Sequence, residues 1–79
     1  MIAANAEGAI EAHDIQTRTV GSGLFVEFHL VVPGGMTVAD AHAICDRIEQ
    51  ALREQAGATS ISIHVEPDSK AKHLGVVVL

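Results

Sequence analysis

The stretch Leu24-Phe25-Val26-Glu27-Phe28-His29-Leu30-Val31-Val32 decides how this chain is read. Leu24, Val26, Phe28, Leu30 and Val32 share one parity, and Phe25, Glu27, His29 and Val31 share the other. Successive side chains of a strand point to opposite faces, so the segment is a strand with one apolar face and one mixed face. Pro33-Gly34-Gly35 ends it. Upstream, Gly21-Ser22-Gly23 reads as a turn between strands. Residues 9–20 carry Ile10, Ile15, Thr17, Thr19 and Val20, which suits a preceding strand. Residues 1–7 are alanine-rich and predict one or two helical turns, stopped by Gly8.

Downstream, Thr37 reads as a helix N-cap with Asp40 at the third helical position, a short version of the capping box. The helix is expected to run to about Gln55, with Gly57 as its stop. Val38, Ala41, Cys45, Ile48 and Leu52 recur at spacings of three and four and predict one apolar stripe. Residues 59–65 predict a third strand. Ile61, Ile63 and Val65 lie on one of its faces, Ser60, Ser62, His64 and Glu66 on the other, and Pro67 closes it. Residues 68–73 form a polar linker, and 74–79 are apolar, an edge strand or a tail. The order is (α)ββαβ. The expected fold is α+β: a ferredoxin-like αββαβ two-layer plait with helices on one face of a three-stranded sheet. It forms one domain over residues 1–79, with a core at about 8–67 and a tail at 68–79.

Composition narrows the function. With 79 residues the chain buries a modest core, and such domains draw on disulfides, metal or a partner chain. Cys45 is the only cysteine, which excludes an internal disulfide and fits a reducing compartment. Residues 1–10 lack the basic and apolar regions of a secretory signal, and no apolar run is long enough to span a bilayer. Ten acidic residues against five basic ones give a formal charge of -5, without the basic stripe that nucleic acid requires. Tryptophan and tyrosine are absent, which removes base-stacking platforms.

Five histidines remain to be explained. His13 lies on the first strand beside Asp14, His29 on the mixed face of the second, and His64 and Glu66 two apart on the third. His42 sits in the first turns of the helix. His29, His64 and Glu66 share a face by parity. That face, with Glu27, Phe25 and Val31, is expected to lack a covering helix, as a binding surface or a dimer interface. Two readings stand on residues alone: scattered solvent-exposed imidazoles, or a divalent metal site. Imidazole with carboxylate suits Zn2+ first, and also admits Cd, Co, Ni, Mn and Fe. Metal-binding imidazole must be neutral, so such a site weakens as pH falls through ~6.5.

Four segments carry a resemblance. Ala12-His13-Asp14-Ile15-Gln16-Thr17-Arg18 resembles the alanine/valine-histidine-aspartate-leucine-x-threonine-arginine signature of the C-terminal cytoplasmic domain of cation diffusion facilitator transporters. Phe25-Val26-Glu27-Phe28-His29-Leu30, Val38-Ala39-Asp40-Ala41-His42-Ala43-Ile44 and Ile61-Ser62-Ile63-His64-Val65-Glu66-Pro67 resemble further segments of it, in order and at its spacings. The resemblance covers about residues 8–67 and is to the zinc transporter dimerisation domain as a whole. It implies a V-shaped homodimer that binds divalent metal at and near its interface and regulates export through the transporter's membrane domain. The family's ligand positions fall on His13, His29, His42, His64 and, where aspartate is frequent, Glu66. A cysteine that follows this motif in some members is replaced near Asp68, which argues against thiolate ligation. The implied location is cytoplasmic, membrane-associated only within a full-length transporter. The six membrane helices of a transporter and its transport aspartates and histidines are not in this sequence, so an excised domain and a stand-alone homologue both fit.

The other polar residues have plainer readings. Cys45 on the helix stripe reads as a buried inert thiol. Asp14 beside His13 either orients an imidazole as an acceptor or is a strand residue that is solvated or paired with Arg18, and the structural role is preferred. Glu27 is an auxiliary ligand or a salt-bridge partner, and His73 a free surface side chain. Gly34-Gly35 is a turn and not a phosphate loop. Three classes of function follow: a metal-sensing, dimerising regulatory domain, a soluble metallochaperone or metal buffer independent of a transporter, and an enzyme. The second lacks the paired-cysteine loop of ferredoxin-like copper chaperones. The third is not expected, because no nucleophile–base pair or enclosed pocket is evident.

Overall fold

The alternating segment becomes the central strand of the sheet. A computed structural model describes residues 6–70 and 77–78. They form β1 (Glu11–Val20), β2 (Gly23–Val32), α1 (Val38–Ala56), β3 (Ser60–Pro67), a 3-10 turn (Asp68–Lys70) and β4 (Val77–Val78). The strands lie in the order β3-β2-β1-β4. β1 and β2 form an antiparallel hairpin in which Val20 pairs with Gly23 across Gly21 and Ser22. Gly21 has φ +60, so a glycine with positive φ takes the first of the two turn positions. That places the hairpin among the tight turns whose twist matches that of the strands. α1 then returns the chain so that β3 runs parallel to β2, from Phe25 opposite Ser60 to Val32 opposite Pro67.

The helix begins and ends where local chemistry directs. Thr37 Oγ1 accepts from the Asp40 N–H at 3.1 Å. Gly57, at φ +70, caps the other end, its N–H donating to the Leu52 carbonyl. Ala41, Ile44, Cys45, Ile48, Ala51 and Leu52 are buried. They pack on the sheet face carrying Val26, Phe28, Leu30 and Val32, with Ile61 and Ile63 beside them. Val38, expected in this stripe, is 86 % exposed instead. It is the first helical residue, at the margin of a stripe whose centre runs through Ile44 and Ile48.

Two further segments complete the comparison with the sequence. Val77 and Val78, in the segment read as an edge strand or a tail, add a short edge strand beside the three expected, pairing antiparallel with Ala12 and Glu11 of β1. The helical turns expected over residues 1–7 lie outside the described residues except for Ala6 and Glu7, which are not helical. No helix among the described residues is long and apolar enough to cross a membrane.

Candidate metal centre

β1 is not regular. His13 pairs with His29 and Gln16 with Glu27, so Asp14 and Ile15 together face the single residue Phe28. This is a β-bulge, and Asp14 within it has φ +53, the only positive φ among the described non-glycine residues. One extra residue switches parity, so His13 and Gln16 both lie on the face away from α1.

Register then aligns three histidines across three strands. His13 lies opposite His29, and His29 opposite His64. The His13 and His29 rings stand edge-on with centroids 5.3 Å apart, and those of His29 and His64 are tilted at 5.0 Å. Exposure rises along the row: His13 is 2 % exposed, His29 35 %, and His64 is exposed outright. The face is therefore not uniformly open. Glu11, His13 and Val31 are buried at one end, while Phe25 and Glu27 are exposed towards the other.

Carboxylates enclose the row. Glu66 Oε1 lies 2.8 Å from His13 Nε2 and 2.9 Å from His29 Nδ1, so one oxygen serves both rings. Glu11 Oε2 is 3.2 Å from His13 Nδ1. Asp14 Oδ2 is 3.6 Å from His29 Nδ1. Desolvation pushes the Glu66 carboxyl up. The hydrogen bond from His13, the charge of His29 and the hydrogen bond from His29 together outweigh it and hold the group below the usual carboxylate range. His13, Asp14 and His29 each offer a ligand atom, all within 4.8 Å of one another. Two imidazoles and nearby carboxylates are a donor set that fits a divalent first-row metal.

Of the residues singled out from sequence, His13, His29, His64 and Glu66 come together. His42 does not join them within one chain. It is exposed on α1, which covers the opposite sheet face, and its Nε2 is 3.4 Å from Asp46 Oδ1 one turn on. Glu27 faces the same side as the histidines but makes no ion pair among the described residues. His73 lies outside the described residues. Cys45 is buried, and its thiol is pushed up by burial and by the charges of Glu49 and Asp46, as an inert core thiol should be. Beyond the histidine row the same face has a concavity of about 460 Å³, lined by residues that include Arg18, Phe25, Glu27 and Ser62. There the Arg18 guanidinium stands 5.4 Å above the Phe25 ring.

Sequence reasoning missed Glu11 and did not place Asp14 among the candidate ligands. Glu11 was legible in principle, since Glu11 and His13 are two apart on one strand and share a face. Asp14 was not, because unbroken alternation would point it away from His13, towards α1.

Comparison with known proteins bears on this site. The family described as "Cation efflux protein, cytoplasmic domain" matches residues 1–68. The chain belongs to this family. It is 40 % identical over 58 residues, 73 % of its length, to an uncharacterized transporter of Synechocystis sp.. It is 40 % identical over 65 residues, 82 % of its length, to the cation-efflux pump FieF of Pectobacterium atrosepticum. The cation efflux chain described here spans 19 % and 22 % of those two relatives. Among solved structures, the Zn form of the candidate zinc transporter CzrB is 41 % identical with a TM-score of 0.83, covering 91 % of this chain and 82 % of that one. The metal-bound C-terminal domain of the CzcD transporter from Thermotoga maritima is 29 % identical with a TM-score of 0.74, covering 90 % and 87 %. These likenesses extend to the α+β, ferredoxin-like architecture.

Proposed function

We propose that this cation efflux domain is a metal-sensing regulatory domain that binds a divalent transition metal and works as a homodimer. The observation that carries the reading is the single Glu66 oxygen set between His13 Nε2 and His29 Nδ1. A carboxylate and two imidazoles converging from three strands can exchange the protons that now join them for one cation. His13, His29 and Glu66 would hold the metal. His64 would hold it or a second ion beside it, and His42 would complete a site with the partner copy. Zn2+ is the first choice by ligand type, and Cd, Co, Ni, Mn and Fe are admitted in differing degree. The bound cation supplies positive charge where Glu11, Asp14 and Glu66 crowd the imidazoles.

Binding across strands favours the folded, closed arrangement over any other by mass action. The partners we assign are a second copy of this chain and the membrane domain of a cation diffusion facilitator, whose export it would regulate from the cytoplasmic side. The exposed Phe25 end of the histidine face supports the first assignment. The domain acts by binding and not by catalysis. A buried thiol held in its protonated form and an open face that admits water both favour that view.

Thermal melts with Zn2+ and with a chelator test the reading. Zn2+ at ~100 times its dissociation constant should add ~2.7 kcal/mol of stability, and His29→Ala and His64→Ala should lose that gain. Light scattering should report a metal-dependent dimer. The absence of any Zn2+ shift, or unaltered binding in both variants, is the result that refutes it.

A further inference from the structure

The β1 bulge carries a cost that the histidines alone do not explain. A residue in the left-handed region is disfavoured, and aspartate is one of the few side chains that tolerates it. Asp14 takes that conformation at φ +53 beside the imidazole row. Its place there is a consequence of the bulge, since an unbroken strand would turn residue 14 towards α1. An outlier of this kind at a candidate site is itself grounds for a functional assignment.

The distances separate Asp14 from Glu66. Two ligands held ~2.1 Å from one tetrahedral ion stand ~3.4 Å apart. Glu66 Oε1 is 2.8 and 2.9 Å from the two imidazoles, which is hydrogen-bond spacing. Asp14 Oδ2 is 3.6 Å from His29 Nδ1, too far for a good hydrogen bond and close to the edge of a coordination tetrahedron. With His13 it also belongs to the one set whose ligand atoms all lie within 4.8 Å among the described residues. We infer that Asp14 is a carboxylate ligand of the same ion, completing a set of His13, His29, Glu66 and Asp14. The inference rests on the metal-binding reading above and deepens it. The site becomes two nitrogens and two oxygens, a set that balances the charge of a divalent ion and disfavours thiophilic monovalent copper.

The test is titration calorimetry with Zn2+ and visible spectroscopy with Co2+ on the 79-residue chain, comparing wild type, Asp14→Asn, Asp14→Gly and His29→Ala. Asparagine and glycine both accept positive φ, so the fold is kept. Both Asp14 variants should lose at least ~10-fold in Zn2+ affinity and change the Co2+ absorption bands, with metal-free melting temperatures near wild type. Wild-type affinity in both variants overturns the assignment. So does a weakened affinity with an unchanged Co2+ spectrum, which makes Asp14 an orienting neighbour of His29 and not a ligand. Wild-type binding by His29→Ala is a different failure: it removes the metal site itself, and the role of Asp14 with it.

Discussion

Glu66 Oε1 and His13 Nε2 lie 2.8 Å apart although 53 positions separate the residues in the chain. The contact spans the sheet from β3 to β1, across β2. It exists because β3 runs parallel to β2 in a register that sets Glu66 opposite Val31, and because β1 sets Glu11 opposite the same residue. A carboxylate on one edge strand thus reaches a buried imidazole two strands away, and the helix on the far face holds all three strands in place.

This contact sets an acid limit on stability. The Glu66 carboxyl is held below its ordinary range in the folded chain and returns to ~4.3 on unfolding. Below that value the unfolded state takes up the proton first, so the stabilisation is present above ~4.3 and is lost as pH falls through the folded value. In metal-free buffer the melting temperature of wild type should drop across that window more steeply than that of Glu66→Gln. Parallel profiles would show that Glu66 gains nothing from the imidazoles.

The bulge predicts an unusual order of stability. Asp14→Gly keeps φ +53 without strain, whereas Asp14→Ala places a Cβ in the left-handed region. Urea denaturation of the metal-free chain should find the alanine variant less stable than the glycine variant by about 1 kcal/mol, the reverse of the usual preference.

Phe28 is fully buried on the helix side of β2, between the positions of Glu27 and His29. Phe28→Ala should cost ~3–5 kcal/mol, a large share of what a domain this small has. Its circular dichroism should show partial or complete unfolding at ambient temperature, with Zn2+ restoring structure only if the histidine row can still form.

Thr37→Ala removes the acceptor that satisfies the Asp40 N–H. The expected loss is about 1 kcal/mol, read as a lower urea midpoint with an unchanged slope. The histidine face lies across the sheet from α1, so Zn2+ affinity should stay within about twofold of wild type once the domain is folded.

The fold was largely legible because its signals are local. Alternation in residues 24–32 named the central strand and both of its faces, and Thr37, Asp40 and Gly57 marked the helix ends. Parity alone put His29, His64 and Glu66 together. The stripe on α1 was read less well, since Ile44 and Ala51 joined it and Val38 left it. A helix end can overhang the layer it packs on, and periodicity does not report where that layer stops.

What the chain determined by itself is therefore the set of elements and the faces within each strand, because backbone sterics and side-chain alternation act over a few residues. What the tertiary structure decided is how the strands meet. The insertion of one residue between His13 and Gln16, the pairing of Val77 and Val78 with β1, and the burial of Glu11 and His13 all depend on register between distant segments. Register is settled by packing the whole sheet against α1. That choice turned Asp14 from a neighbour of His13 in sequence into a neighbour of His29 in space.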